Sequence, residues 1–527
     1  MGGNRVLDMA SLDGMAELYR GCGHTVELLT IDASQMKNTR IQAAKHIFDQ
    51  LNKEGKCGDG ATFDPTEVEL RDIKDGEEFY AGMIFVPSCA SVYATKGLQI
   101  SACDASHMDG KGPQSYGTYF EVVGYDPNNN LTTMLSAHFI GPESGFIWDK
   151  IFDQVKSCIP DFDCDGRVTH MDMEKSIGIS FSKHNACAEK FYDERHVAKN
   201  MIPHLGSERA TAPRLYAKAM RAPSTEETDA IVASFGPNAT AYLSKYPKSE
   251  LFTSYSRIVD SIITSQGAEA AMNGALVNKI RCVEPTAMLH AMANTQRLKL
   301  AKNKSMAAGC TAAVPPRVEE RIAVIIIAAK KYPSPVPVEG TNQMEWDVLS
   351  LANPALRRRV VLSQFRNTPP QCCVYSQTGS GFPCNHGAAV ILEKHGAANM
   401  HKFISKRHLT GVWKEMYEGL EFRMPQQHEV DAVMLEAQKK VDSGEYLRNP
   451  KALPPPRGRP RKDAGARKKT WYETGTTKNK TKPRMCRLCT ELGHDRRTCP
   501  LRQPGLDEGA EGGAEAPWGS PMGGDDA

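Results

Sequence analysis

Apolar and polar positions alternate from Leu98 to Cys103, and the run leads straight into Asp104. That period of two predicts a strand carrying an acid at its end. Two further strand-like runs follow, Tyr119–Val123 and Leu131–Ile140, and the turn-forming string Asp126-Pro127-Asn128-Asn129-Asn130 between them predicts a hairpin. The period then lengthens. Phe146, Ile147, Ile151, Phe152 and Val155 recur at three- and four-residue spacing, as on a helix with one apolar face. A short run, Arg167–His170, predicts one more strand and delivers a second acid, Asp172. Two aspartates on neighbouring strand ends can share divalent cations. Paired cations about 3.5–4 Å apart stabilise both the attacking and the leaving oxygen of a phosphodiester.

Ahead of this stretch, residues 1–90 read as an N-terminal α/β segment. Asn38–Lys53 has the pattern of an amphipathic helix, Glu67–Tyr80 is charged, and Met83–Val86 is a short apolar run ending at Pro87. Behind it, residues 202–280 read as mostly helical, with Pro237 and Pro247 expected to break the run. Residues 281–360 are expected to hold further helices, Pro285–Lys304 and Val318–Tyr332 among them, and His401–Glu421 another. The longest apolar run, Ile322–Ala329, is far too short to cross a bilayer. With no apolar signal segment at Met1–Val6, the expectation is an intracellular protein with no membrane partner.

The net charge of +3 hides an asymmetry. The segment 457–484 alone carries +9, so the remainder is −6. Pro454-Pro455-Pro456 opens this segment as a stiff spacer. The basic run suits nuclear import or attraction to a polyanion. Within it, Arg457-Gly458-Arg459-Pro460-Arg461-Lys462 resembles an AT-hook, an extended backbone thin enough for a narrow A·T minor groove. The tail 502–527 is rich in Gly and acids, as in a disordered segment.

Metal-ligand spacing is clearest at Cys486-Arg487-Leu488-Cys489, His494 and Cys499, which resembles a retroviral-type CCHC zinc knuckle over 485–501. Three thiolates and an imidazole close on one ion in a segment too short for a core, so the metal supplies the folding free energy. Knuckles bind single-stranded DNA or RNA, and Arg487, Arg496 and Arg497 give this one a cationic rim. A second set, Cys372-Cys373 with Cys384-Asn385-His386, resembles a SWIM zinc finger spanning 367–395. Adjacent residues of a strand face opposite sides, so one of the paired cysteines, Cys373, is favoured over Cys372. The string Asp161–Asp172 also has the oxygen spacing of an EF-hand calcium loop. A lone loop of that type within an α/β pattern favours the strand reading.

Taken in order, Asp104, Tyr116-Gly117-Thr118-Tyr119, Ser136-Ala137-His138-Phe139, Glu143 to Trp148 and Met171 to Ser176 resemble the core of Mutator-like element (MULE) transposases. The resemblance covers roughly residues 70–445. It implies an α/β fold, an RNase H-like mixed sheet with a helical insertion over 91–280; the residue patterns add a helical segment 281–360, small zinc modules, a helical segment 396–447, a basic linker 450–484 and a disordered C-terminal region. The resemblance further implies a DDE triad of Asp104, Asp172 and Glu269, the last from Thr264-Ser265-Gln266-Gly267-Ala268-Glu269. Mg²⁺ or Mn²⁺ would be the catalytic cofactor, beside two structural Zn²⁺ sites. The family's Asp-x-x-His signature falls on Asp193-Glu194-Arg195-His196, which adds His196. The implied activity is cleavage and strand transfer of DNA, by a nuclear protein that acts as a homo-oligomer on transposon ends and target. Residues 1–90 show no separate DNA-binding module of the kind the family carries. That keeps open a domesticated, non-catalytic DNA-binding regulator, and more remotely a knuckle-driven RNA-binding protein.

Overall fold

Seven strands form one mixed sheet in the order β1–β2–β5–β4–β3–β6–β7. In chain order they are β1 (Thr25–Asp32), β2 (Glu78–Val86), β3 (Ile100–His107), β4 (Thr118–Tyr125), β5 (Leu131–Phe139), β6 (Val168–Met171) and β7 (Glu189–Tyr192). The computed structural model describes residues 9–443 apart from 33, 36, 39–40, 42–44, 46–63, 68–77, 109–116, 142, 174, 221, 223–224, 257–284, 350, 352–356 and 373–380. β3, β6 and β7 run parallel, and every other neighbouring pair is antiparallel. The expected hairpin is β4–β5, with Asn129 at positive φ in its turn. β4 is buried along its whole length because helices cover both faces of the sheet, which is why its sequence reads as nearly continuous apolar rather than alternating.

One face is covered by α3 (Gly145–Cys158), numbered after α1 (Met9–Gly21) and α2 (Ala90–Lys96). Its apolar stripe sets Trp148, Ile151, Phe152 and Val155 against the sheet. Trp148 meets Phe120 edge-on at 5.1 Å and stacks on Phe152 at 5.6 Å. The stripe is thus the three- and four-residue repeat read from the sequence except at Phe146, which is 68 % exposed, its place taken by Trp148. On the other face, α1 and the long helix Pro285–Gly309 pack Leu12, Met15, Tyr19, Met288 and Met292 on Met83, Phe85 and Tyr119.

The described part of residues 1–90, expected as an N-terminal α/β segment, extends the sheet through β1 and β2, while most of the expected helix Asn38–Lys53 lies outside the described residues. The apolar run ahead of Pro87 becomes β2, whose Gly82 lies so close to β5 that a Cβ there would sit 2.6 Å from the His138 carbonyl. Pro237 opens the helix Pro237–Leu243 instead of breaking a run, as a proline at the first helical position can. Residues 281–360 are not all helical. After the helix Pro316–Ala329 come three antiparallel strands, Val336–Pro337, Glu345–Leu349 and Arg357–Val361. Glu345–Leu349 alternates, burying Trp346 and Val348, and Arg359 crosses to Glu345 and Asp347 on the solvent side. The expected helix His401–Glu421 is divided into two 3₁₀ turns and the α-helix Thr410–Tyr417, with Ser405 capping the second turn. Among the described residues, no helix is long and apolar enough to cross a membrane.

His24 fastens the C-terminal part of this unit to the sheet and predicts a pH dependence. Its ring lies 4.4 Å from Phe422 and 5.4 Å from Phe85, its Nδ1 accepts from the Ser88 amide at 3.1 Å, and its Nε2 meets the Arg423 carbonyl at 2.8 Å. A neutral ring protonated on Nε2 satisfies both contacts. Burial pushes its pKa down, and the Arg423 carbonyl only partly opposes this. The unfolded chain, with a histidine pKa near ~6.5, then binds more protons than the folded one below that pH. The contribution is complete above ~6.5 and lost as pH falls towards the folded value. Urea titrations at about pH 7.5 and about pH 5.5 should show a smaller stability difference for His24→Gln than for the parent. An equal difference would reject the assignment.

Candidate functional site

The β3–β6 register pairs Ala102 with His170, and the β6–β7 register pairs Met171 with Tyr192. Asp104 lies two residues beyond the last β3–β6 pair, and Asp172 and Asp193 follow directly on the ends of β6 and β7. The Asp193 amide donates to the Met171 carbonyl at 2.9 Å. On its other side Asp104 is the cross-strand partner of Glu121 on β4. Residues in one row of a pleated sheet project from one face, with neighbouring strands about 4.8 Å apart. Four acids thus gather in one row at this end of the sheet, Glu121 and Asp104 paired on β4 and β3, and Asp172 and Asp193 just past the ends of β6 and β7. β3 itself does not stop at Asp104 but runs to His107, because its pairing with β4 continues after its pairing with β6 has ended.

His196 joins this row. Asp193 is fully buried and caps the helix Glu194–Met201, its Oδ1 accepting from the amides of Arg195 at 2.9 Å and His196 at 3.0 Å. An acid cap followed three residues later by histidine therefore fixes where the imidazole lies. His196 Nδ1 sits 3.1 Å from Asp193 Oδ1, at ion-pair distance, and its Nε2 lies 3.6 Å from Asp172 Oδ2. Burial opposes the imidazolium, but the Asp193 contact and the charges of Asp172, Asp193 and Asp104 outweigh it and raise the pKa above the ordinary range. The carboxylates are tied to their own backbone: Asp104 Oδ1 accepts from the Ala105 amide at 2.8 Å, and Asp172 Oδ1 from the Met173 amide at 2.5 Å.

Glu121 is a site residue that the sequence pattern did not single out. It is 2 % exposed, its Oε1 accepts from the Tyr119 hydroxyl at 2.7 Å, and the Ser136 hydroxyl also favours its carboxylate. Burial raises its pKa, against the pull of Lys299. The available signal was a lone acid inside an otherwise apolar strand.

Other residues of the family-like strings have structural roles. The Glu143 carboxylate accepts from the indole N–H of Trp148 at 2.7 Å, and His138 Nδ1 meets the Tyr80 hydroxyl at 2.9 Å. Gly117 has φ +126°, and a Cβ there would collide with the Phe139 carbonyl. In the calcium-loop-like string, Asp163 spends both oxygens on the amides of Ala186, Cys187 and Ala188, and Thr95 donates to Asp161. Those oxygens staple loops together.

Cys372, Cys384 and His386 form a second site. Each offers one ligand atom, and the three atoms lie within 4.8 Å of one another. Cys384 caps the helix Asn385–His395, accepting from the Gly387 amide at 3.4 Å, with His386 Nδ1 4.0 Å from its sulfur. This group could hold a metal ion such as zinc, for which two sulfurs and an imidazole are three of four tetrahedral donors. It contains Cys372, whereas Cys373, favoured from the sequence, lies outside the described residues. Among the described residues it is the only group of three such donors at this closeness. Titration of the metal-free protein with Co²⁺ should give the visible d–d bands of tetrahedral thiolate ligation, lost in Cys384→Ala. Bands that persist in that variant would place the metal elsewhere.

Glu269 lies outside the described residues, as do the knuckle ligands Cys486, Cys489, His494 and Cys499 and the basic positions Arg457, Arg459, Arg461, Lys462, Arg487, Arg496 and Arg497. Comparison with protein-family models and with curated proteins returns no match to this chain.

Proposed function

We propose that the chain is a metal-dependent phosphodiester-cleaving protein, built on an RNase H-like sheet and related to MULE-type DNA transposases. The observation that carries this reading is that His196 brings the two acids into one site: its Nε2 lies 3.6 Å from Asp172, and the charge of Asp104, two residues past the last β3–β6 pair, acts on the same ring. A hairpin, then a helix, then a strand parallel to the first is the layout this chemistry was expected to use, and β3 to β6 have it.

The donor set suits a hard divalent cation: the carboxylate oxygens of Asp104 and Asp172, with Asp193 and Glu121 beside them. Asp104 and Asp172 would hold Mg²⁺ or Mn²⁺, with Glu269 the third acid implied by the family resemblance. When bound, such a cation activates water or a DNA 3′ hydroxyl and neutralises charge at the phosphorus. The protein's own residues hold the acids in place. Asp193 orients His196, and His196 steadies the Asp172 carboxylate from the side away from Asp104.

The test is nicking of supercoiled plasmid by the full-length chain with Mg²⁺ or Mn²⁺, and with EDTA. Cation-dependent conversion to open circles is expected. If no cation supports it while DNA is bound, the second reading stands: a zinc-bearing nucleic-acid binder without catalysis. The Cys372–Cys384–His386 group is the observation that favours it.

A further inference from the structure

An open cleft of about 620 Å³ lies beside the acid row, lined by Lys199, Asn200, His204, Tyr242, Lys245 and Tyr246. Rings form its floor. His204 stacks on Tyr242 at 5.2 Å and 23°, Tyr242 and Tyr246 are 6.0 Å apart, and Tyr246 meets Tyr192 edge-on at 5.5 Å. Tyr242 is buried and backs the others, whereas His204 is exposed and Tyr246 half-buried. Lys245 Nζ lies 5.4 Å from the Tyr242 ring centre. The nearby Lys190 and Lys248 are paired with Glu250 and Asp229, but Lys199 and Lys245 have no acidic partner among the described residues.

The cleft and the acids are neighbours. Lys199 lies three residues after His196 on the same helix, hence on nearly the same face. The Tyr242 hydroxyl donates to the sulfur of Met173, the residue following Asp172, at 3.8 Å. After burial and Tyr246, the Asp172 charge is a further cause that holds the Tyr242 phenol un-ionised.

We propose that this cleft is a nucleotide subsite. It takes one unpaired nucleotide of a nucleic-acid strand, with the base against the His204 and Tyr246 rings and the flanking phosphates on Lys199 and Lys245. Stacking tolerates every base, because every base has a π-face, and lysines beside the rings supply the charge a phosphate needs. An acidic peptide would use the lysines and leave the rings idle. The two cations also offset the repulsion that a row of carboxylates exerts on a polyanion, so a strand seated here is led towards Asp172 with its phosphodiester. This assignment rests on reading the acid row as a phosphodiester site and names the substrate feature that row would receive.

A photocrosslinking experiment tests it. The full-length chain is irradiated with a 5-iodouracil-containing trinucleotide in EDTA, and the adducts are mapped by peptide mass spectrometry. Adducts at His204 or Tyr246 are expected. In the Lys199→Ala/Lys245→Ala variant they should fall on the order of tenfold, two phosphate contacts having been lost, while adducts within 457–503 persist. Adducts confined to 457–503, or cleft adducts indifferent to the loss of both lysines, overturn the proposal. Because no cation is present, the readout is independent of cleavage. Plasmid that is never nicked while cleft adducts form would remove the phosphodiester reading and leave the nucleotide subsite standing.

Discussion

Asp104→Ala and Asp172→Ala are each expected to lower cation-dependent strand cleavage by on the order of 10³-fold, because several kcal/mol of charge stabilisation at the phosphorus is lost with either ligand. Nucleic-acid binding should survive, since its cations lie elsewhere: Lys199 and Lys245 in the cleft, and the run from Arg457 to Arg484. The fold should survive too. Asp172 is partly exposed, and its truncation gives up only the Met173 amide and the His196 contact, a loss of about 1–3 kcal/mol. The double variant should be little worse than either single one, as expected of residues that act as a unit. His196→Ala should cost less, roughly 10–100-fold, because the imidazole acts through Asp172. Initial rates of nicking with Mn²⁺, beside urea titrations of each variant, measure all of this. Cleavage at the parent rate by Asp104→Ala would end the enzymatic reading.

What could be read from the sequence divides along a physical line. Local periodicity marked the β4–β5 hairpin, the apolar face of α3 and the approach to β6, since each buries its apolar residues against its neighbours in sequence. Asp104 and Asp172 were legible as acids at the ends of two predicted strands, His196 only through a family-like motif. Their convergence needs two parallel strand pairings that no local pattern encodes. What periodicity missed depends on distant partners. Glu121 sits in a strand whose environment comes from β3 on one side and Lys299 on the other. The strands at 345–349 and 357–361 pair with each other, with Val336–Pro337 and, through Val361, with Gln371, and a run such as Arg357-Arg358-Arg359 gives no apolar alternation. Asp126 read simply as a turn former, because what occupies its oxygens lies nearly 300 positions further along.

That aspartate has the largest expected effect on stability. Asp126 is fully buried in the β4–β5 turn, where Oδ1 accepts from the Asn130 amide at 2.7 Å. Its Oδ2 accepts from the Trp413 indole at 2.7 Å, the Tyr417 hydroxyl at 2.9 Å and the Asn130 side chain at 2.9 Å. Two residues further on, Asn128 Oδ1 takes the Arg317 amide at 2.9 Å, and the Asn129 carbonyl takes the Arg317 guanidinium at 3.0 Å. One turn of the sheet thereby fastens both the helix Thr410–Tyr417 and the helix Pro316–Ala329, between which the Cys372–Cys384–His386 group is carried. Asp126→Ala strands two buried donors, each worth about 1–3 kcal/mol, and removes a charge-assisted network, so a loss of about 3–5 kcal/mol is expected. Asp126→Asn keeps one carbonyl oxygen as acceptor and should lose distinctly less. Urea titrations compare the two, and limited proteolysis reads the attachment: cleavage between Cys310 and Pro316 should quicken in Asp126→Ala before the sheet unfolds. Equal stability of the alanine and asparagine variants would mean that the turn backbone and Arg317, not the carboxylate, hold the two parts together.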